Sequence, residues 1–276
     1  MPNSPNIEKR LPSPLLKDYV DFYLVLEVEM KDIPFLYSPA TNRNLMVLRF
    51  DDDMTYELND ETISCKEISL TGLSDGHYVV KTSAAVMSII LTQFTPFGAS
   101  SLFRTDGNSF LNTNKNLEDL IPSAKKQDLK DRLLGAKSIS AKVRHVDEFL
   151  IQFLPQRYHQ LKLSTIQNCL QLMHSKPEIS IKDLCKTVRV SEVHLRRLFR
   201  QHIGINPKRY LQLNRFNKVF LQTIGGEEIK KDPYYDDPHL IKEFRQFTGY
   251  APTTYPRGLI STEHIIESIP FTNSSR

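Results

Sequence analysis

The sequence predicts an α+β protein of two domains: a β-rich N-terminal sandwich or small barrel with trailing helices, and an all-α C-terminal domain. Hydrophobic residues alternate with a period of two early in the chain, and they recur at helical spacing after about residue 115. A helical segment near the C-terminus occurs twice. The length of 276 residues fits about two domains. We place the domains at 1–155 and 156–260, followed by a C-terminal tail at 261–276.

The N-terminal strands are predicted from alternating hydrophobic residues separated by turn residues. The clearest run covers 20–30, where aromatic and aliphatic residues alternate with mostly polar ones and indicate a half-buried strand. Further strands are predicted over 44–50, 54–58, 63–70, 77–81 and 85–94. Short strands at this spacing are typical of a sandwich or a small barrel.

Helical spacing replaces the alternation in the last part of this domain, where we expect helices at about 116–155. The most regular apolar face runs from Val143 to Leu154 and ends at Pro155. This face is either a dimer interface or packed inside the domain. We place the linker between the domains at about 155–162.

Composition and motifs exclude several classes of protein. Hydrophobic residues make up 40% of the chain and charged residues 25%, as in ordinary globular proteins. No run of about 18 apolar residues and no secretory signal occurs. We therefore expect a cytoplasmic protein without a membrane partner. Three separated cysteines argue against disulfides and zinc modules, and Cys169 and Cys185 fit small core positions. Nucleotide-binding and hydrolase motifs are absent, so we expect neither an enzyme nor a cofactor or metal site.

The positive charge of the chain is concentrated in its C-terminal part. Residues 1–160 contain 18 Lys and Arg and 21 Asp and Glu, a net charge of −3, whereas residues 161–276 contain 18 and 11, a net charge of +7. Together they give the +4 of the whole chain. This asymmetry predicts a domain that binds a polyanion, although a solvated charged face would look the same.

An internal repeat is the strongest signal in the C-terminal part. Residues 194–210 and 239–255, offset by 45, are identical at eight of 17 positions. The matching pairs are His194/His239, Leu195/Leu240, Phe199/Phe244, Arg200/Arg245, Gln201/Gln246, Gly204/Gly249, Pro207/Pro252 and Tyr210/Tyr255. Two copies indicate a duplicated module, because a solenoid needs three or more repeats.

The residues around the first copy predict a helix–turn–helix. Ser180, with Asp183 as a capping-box partner, and Ser191 are predicted to cap two helices joined by a turn at Arg189-Val190. The hydrophobic face of the second helix consists of Leu195, Leu198 and Phe199. A separate stripe at i, i+3, i+4 and i+7 consists of Val193, Arg196, Arg197 and Arg200. Gly204 is predicted to end this helix, and Asn206-Pro207 to begin the next.

An arginine stripe on a helix is suited to double-stranded DNA. A helix fits the major groove, where arginine can donate two hydrogen bonds to guanine or neutralise a phosphate. The alternative is an ordinary solvated face; the duplication, the caps and the local charge favour DNA.

On these residues the chain resembles the AraC/XylS family of bacterial transcription regulators over about 161–256. The motif residues are Ser191, His194, Leu195, Arg197, Phe199, Gly204, Pro207, Lys208, Tyr210, Arg215, Phe216, Tyr234, Tyr235, Asp236, His239, Phe244, Phe247, Thr248, Gly249 and Pro252. The resemblance implies two helix–turn–helix units bridged by a long helix at about 207–221. It also implies that the helices at about 192–202 and 238–247 enter successive major grooves.

The resemblance implies a role for each matching position. Val193, Arg196 and Arg197 are expected to read bases, and Arg200 and Lys208 to contact phosphates. In the second unit the matching base-reading positions are Asp237, Pro238 and Lys242. The full predicted DNA-contacting set is Ser191, Val193, His194, Arg196, Arg197, Arg200, Lys208, Asp237, Lys242 and Arg245.

The second unit departs from the family pattern. Asp237 would repel phosphate, and Pro238 cannot read a base by hydrogen bonds. The supporting helix, which we place at Glu227–Asp232, is short and follows Gly225-Gly226. We therefore expect the second unit to keep its fold and to read DNA weakly or differently.

The N-terminal domain has a weaker resemblance, carried by Ile90–Ala99 and Asn116–Leu120, to a sensor-like domain of some AraC-type regulators. It implies a cupin-like β-domain whose interior residues either line a ligand pocket or fill a core; we favour core filling. A small-molecule effector, a homodimer, contact with RNA polymerase and activation of transcription are further expectations from the family. The alternative function is a degenerate member that acts through protein contacts and binds DNA weakly.

Overall fold

The fold is described by a computed structural model over residues 6–31, 33, 35–50, 54–58, 61–155, 157–224, 238–256, 259 and 261–271. The strands are β1 Asn6–Arg10, β2 Val20–Glu29, β3 Leu36–Ser38, β4 Asn44–Arg49, β5 Met54–Leu58, β6 Glu61–Ser64, β7 Ile68–Thr71, β8 Tyr78–Thr82, β9 Val86–Phe94 and β10 Asn114–Asn116. The α-helices are α1 Gly98–Leu102, α2 Ser123–Gly135, α3 Ile139–Ile151, α4 Arg157–Ser175, α5 Ile181–Val188, α6 Glu192–His202, α7 Pro207–Ile224, α8 Pro238–Thr248 and α9 Thr262–Ser268. The α+β prediction is confirmed.

Two antiparallel sheets form the β-rich half of the chain, which we define as residues 6–155. One sheet has the order β1-β2-β9-β4-β7-β10, and the other has the order β3-β8-β5-β6. Side chains from both sheets share one hydrophobic core, in which Leu24 and Leu91 from the first sheet join Tyr56 and Leu58 from the second. This arrangement explains the alternation in the sequence, because each strand turns one face toward the opposite sheet.

Two strand predictions need correction. The segment 63–70 is two strands rather than one, because the chain crosses from the four-stranded sheet at β6 to the six-stranded sheet at β7. Strand β2 is buried on both faces over most of its length, and Tyr23 and Leu24 are both fully buried. It lies between β1 and β9, and its second face belongs to the core shared with the helices.

The trailing helices of the β-rich half are α2 and α3. Ser138 caps α3 by accepting a hydrogen bond from the Ala141 N–H at 3.2 Å. The apolar face of α3, with Val146, Phe149 and Leu150 almost fully buried, packs inside the chain and contacts α2. Of the two interpretations of this face, internal packing is therefore the one observed.

The predicted linker at about 155–162 is wrong. Helix α4 already begins at Arg157 and continues to Ser175. No proline or glycine interrupts residues 157–175, so nothing in the sequence breaks the helix over this range. The buried face of α4 includes Ile166, Met173 and Cys169, the last of which was expected in the core.

The remaining helices of the C-terminal part follow the predicted positions. Helix α7 spans Pro207–Ile224, three residues beyond the expected end. Helix α8 spans Pro238–Thr248, while the predicted helix Glu227–Asp232 and Asp237 lie outside the described residues. We define residues 157–256 as the helical half. Within the described residues, no helix is long and apolar enough to span a membrane.

The two halves are in direct contact at the ends of α6 and α8. The Ser100 hydroxyl donates to the carbonyl of His202, in the last turn of α6, at 2.5 Å. At the end of α8, the Ala40 N–H donates to the Phe247 carbonyl at 2.9 Å, and the Tyr37 hydroxyl donates to the Thr248 carbonyl at 2.6 Å. The β-rich half therefore satisfies terminal carbonyls of both helices.

The C-terminal tail returns to the β-rich half. Ser261 bridges to Tyr37 and Phe271 bridges to Lys9, and the helix between them, α9, buries Ile266 in the core between the sheets. The Lys9 ammonium donates to the Ile266 carbonyl at 3.2 Å and lies over the rings of Phe22 and Phe271. The segment predicted only as a tail thus completes the N-terminal core.

Candidate nucleic-acid interface

Helices α5 and α6 are joined by a tight connection. Ser180 caps α5 by accepting from the Asp183 N–H at 3.0 Å, and its hydroxyl donates to the Asp183 carboxylate at 2.6 Å. The Asp183 carboxylate therefore accepts from the Ser180 hydroxyl. In a capping box it would accept from the backbone N–H of Ser180. Helix α5 ends at Val188, and the next residue, Arg189, adopts a left-handed conformation with φ 55°. The connection to α6 is three residues long, as in a helix–turn–helix.

Helix α6 begins at the predicted cap. Ser191 accepts a hydrogen bond from the His194 N–H at 3.2 Å, and Glu192 lies in the first turn. The hydroxyl satisfies one of the free N–H groups at the helix start. The sequence therefore fixes where this helix begins and, through its period, which residues face outward.

The two faces of α6 are sharply different. Leu195 and Phe199 are fully buried, and the Phe199 ring packs edge-on against Tyr210 of α7. Val193 is 78% exposed. The other members of the predicted stripe, Arg196, Arg197 and Arg200, are all exposed.

The arginines of the stripe have different partners. Arg196 donates to the Glu192 carboxylate at 2.5 Å, an i, i+4 ion pair on the helix surface. Arg197 lies 3.2 Å from Nδ1 of His194, in the first turn of the helix. Among the described residues, Arg197 and Arg200 form no ion pair with a carboxylate. Glu192 was not among the predicted site residues, although its spacing from Arg196 could have identified it.

The end of α6 and the start of α7 follow the glycine and proline in the sequence. Gly204 has φ +105°, and its N–H donates to the Phe199 carbonyl at 2.9 Å. Asn206 then accepts from the Arg209 N–H at 2.9 Å, with Pro207 as the first residue of α7. Lys208 is exposed on the first turn of α7 and lines the same cleft as Arg200.

The second copy of the repeat has the same local structure. Phe244 and Phe247 are fully buried, and Gly249 ends α8 with φ +72°, as Gly204 does in the first copy. Pro252 begins a short 3₁₀ turn where Pro207 begins α7. Lys242 and Arg245 are exposed, while Asp237 is not described.

The three cysteines are buried and unsuited to nucleophilic chemistry. Burial raises the pKa of the Cys65 and Cys169 thiols to about 11, and burial also raises the pKa of Cys185. A nucleophilic cysteine needs a lowered pKa so that its thiolate is populated. The prediction that Cys169 and Cys185 are core residues is confirmed. The described residues include no cluster of metal-ligating side chains.

The interior of the β-rich half holds a small apolar cavity. Its volume is about 80 Å³, and its walls come from both sheets and from Ile265 and Ile266 of α9. Pockets for small molecules usually measure about 300–1,000 Å³. The side chains between the sheets therefore fill a core, which is the interpretation that the sequence favoured.

Comparisons with other proteins give only distant structural likenesses. No protein-family model matches this chain, and no curated protein matches it. ToxT from Vibrio cholerae O395 is similar over 89% of this chain and 99% of its own, at 12% identity and a TM-score of 0.46. ToxT from V. cholerae strain SCE256, solved with a bound unsaturated fatty acid, is similar over 86% and 95%, at 12% identity and a TM-score of 0.46.

The AraC-like transcriptional activator CuxR is similar over 78% of this chain and 87% of its own, at 14% identity and a TM-score of 0.25. Identities and TM-scores of this size assign no function.

Proposed function

We propose that this chain is a sequence-specific DNA-binding transcription regulator of the AraC type, in which α6 enters the major groove. The two faces of α6 carry the proposal: Leu195 and Phe199 anchor the helix, while Val193 and three arginines point away from the core. Val193, which is 78% exposed, lies on the same face of α6 as the arginines. In a major groove, that side chain has a partner in the methyl group of thymine.

The chemistry of the stripe suits base and phosphate contacts together. Arg197 has no acidic partner among the described residues, so its guanidinium is available for guanine. Arg196 is paired with Glu192, so it can contact a base only when that ion pair opens. Arg200 and Lys208, on the wall of a shared cleft, are placed for phosphates. Ser191 and His194, at the start of α6, are the remaining residues of the first unit that we propose contact DNA.

Helix α8 is proposed as the reader of the second unit, with Lys242 and Arg245 as its exposed basic residues. The family pattern gives this helix Asp237 and Pro238 where base-reading residues stand, so we propose a weaker or altered contribution. Double-stranded DNA is the partner under this proposal, in the cytoplasm. An effector, a homodimer, contact with RNA polymerase and activation remain predictions of the resemblance.

The test is selection of bound sites from a random duplex library with the whole chain at about 150 mM salt. A motif of two half-sites about one helical turn apart would mean that both units read DNA. A single half-site would mean that only α6 reads bases. Without an enriched motif, and with affinity collapsing as salt rises, the proposal would fail in favour of a protein-contact role.

A further inference from the structure

A segment of the β-rich half, residues 104–109, lies against the exposed helix α6. The contact centres on two glycines: a Cβ on Gly107 would lie 2.8 Å from the backbone nitrogen of Gly204. Asp106 caps the turn that contains Gly107 by accepting from the Asn108 N–H at 2.9 Å. The 104–109 segment is thus fixed beside α6 by backbone packing rather than by flexible side chains.

Two clefts between this segment and α6 contain charged groups from both sides. In the first, of about 570 Å³, Arg104 and Asp106 lie across from His194, Arg197 and Gln201. In the second, of about 470 Å³, Asp106 lies beside Val193, Arg196, Arg197 and Arg200. Every charged residue of the proposed reading stripe therefore shares a cleft with the 104–109 segment.

The dimensions of DNA place such a segment at the edge of the groove. An α-helix with its side chains is about 10–12 Å in diameter, and the major groove is about 12 Å wide. A helix in the groove therefore leaves no room beside it for more protein. A segment packed on the flank of the helix must lie over the sugar–phosphate backbone that borders the groove.

Arg104 has the properties of a phosphate contact. It is exposed, and within the described part of the chain it forms no ion pair. Its backbone has φ 52°, a left-handed conformation that is uncommon for arginine. An uncommon backbone conformation that the surrounding structure maintains is a reason to look for a function.

We propose that the β-rich half contributes directly to the DNA interface, with Arg104 binding a backbone phosphate beside α6. This inference rests on the proposed function and extends it beyond the helical half. Asp106 opposes the same phosphates, because its exposed carboxylate lies beside the stripe without forming an ion pair to it. Removing the charge of Arg104 should therefore weaken DNA binding, and removing the charge of Asp106 should strengthen it. Neither change should alter the sequence preference.

The test measures the Kd of the whole chain for a selected duplex and for a shuffled duplex over a range of salt concentrations. Arg104→Gln should weaken both complexes about fivefold at about 0.15 M salt and lower the slope of log K against log salt by about 0.9. Arg104→Lys should retain most of the affinity. Asp106→Asn preserves an oxygen to cap the turn and should strengthen both complexes about twofold.

The matched control is Arg144→Gln, which removes the same charge from an exposed position on α3 that lines neither cleft. It should leave both affinities unchanged. Normal affinity in Arg104→Gln, with specificity still lost in Arg197→Ala, would overturn this inference and leave the proposed function intact. Tighter binding by Arg104→Gln would mean that the segment obstructs DNA. No effect of either arginine would reject the proposed function itself.

Discussion

At the residue scale, the arginines of the stripe differ in the side chains that surround them. Arg196 has an acidic neighbour in Glu192, Arg197 has only His194, and Arg200 shares a cleft with Lys208. The stripe itself follows from helical spacing, so the sequence is sufficient to predict it. The partners depend on which rotamer each long side chain adopts, and a periodic pattern does not specify rotamers.

Substitutions should separate base reading from phosphate binding. Arg197→Ala should cost about 1–3 kcal/mol of affinity for the selected site and relax the preference at one base pair. Lys208→Ala should weaken selected and random duplexes by the same factor. Lys137→Ala, at an exposed position between α2 and α3, serves as the charge-matched control. Competition binding with single-base variants of the site measures both effects, and equal losses on all duplexes for Arg197→Ala would contradict its assignment.

At the element scale, prediction succeeds where local signals coincide. Ser191 caps helix α6, Gly204 follows the helix, and Pro207 begins α7, so the caps, the hydrophobic period and the helix-breaking residues all agree. Helix α4 has no cap signal near its start, so the sequence pattern favours a linker where the helix begins. The split of 63–70 into β6 and β7 depends on which sheet each strand joins. That choice is set by long-range pairing, which hydrophobic alternation does not encode.

The cap of α6 allows stability and DNA binding to be tested separately. Ser191→Ala removes the hydrogen bond from the His194 N–H and should lower the free energy of unfolding by about 1 kcal/mol. Ser191→Asp keeps an acceptor, so stability in urea denaturation should be retained. Its carboxylate, however, would lie at the helix start that we propose enters the groove, so DNA affinity should fall.

Ser180→Ala and Ser180→Asp on α5 are the matched pair for this comparison. The Ser180 hydroxyl caps its helix in the same way, by accepting from the Asp183 N–H. Its alanine variant should lose similar stability without a specific loss of DNA affinity. If Ser191→Asp binds DNA as tightly as the unaltered chain, the start of α6 does not face DNA.

At the scale of the whole molecule, the halves are less independent than the sequence indicates. The β-rich half bonds the ends of both α6 and α8, and the tail beyond the helical half fills the core between the sheets. Composition, charge and the repeat distinguish an N-terminal from a C-terminal part of the chain, but they give no sign of the contacts between the two. The contacts that join them connect residues such as Tyr37 and Thr248, which lie far apart in the chain. No local pattern identifies such pairs.

The close contact between Gly107 and Gly204 should determine how firmly the end of α6 is held against the β-rich half. In Gly107→Ala, the new methyl group would lie 2.8 Å from the backbone of residues 202 and 204, and neither can move without moving the end of α6. We expect the free energy of unfolding to fall by about 1–3 kcal/mol. Amide exchange around 202–205 should accelerate.

Gly135→Ala is the control, because its methyl group would meet nothing within 4 Å at the end of α2. It should be neutral or stabilise the protein by up to about 1 kcal/mol. Unchanged stability and exchange in Gly107→Ala would show that α6 is not fixed to the β-rich half at this point, and the placement of Arg104 beside the groove would lose its basis.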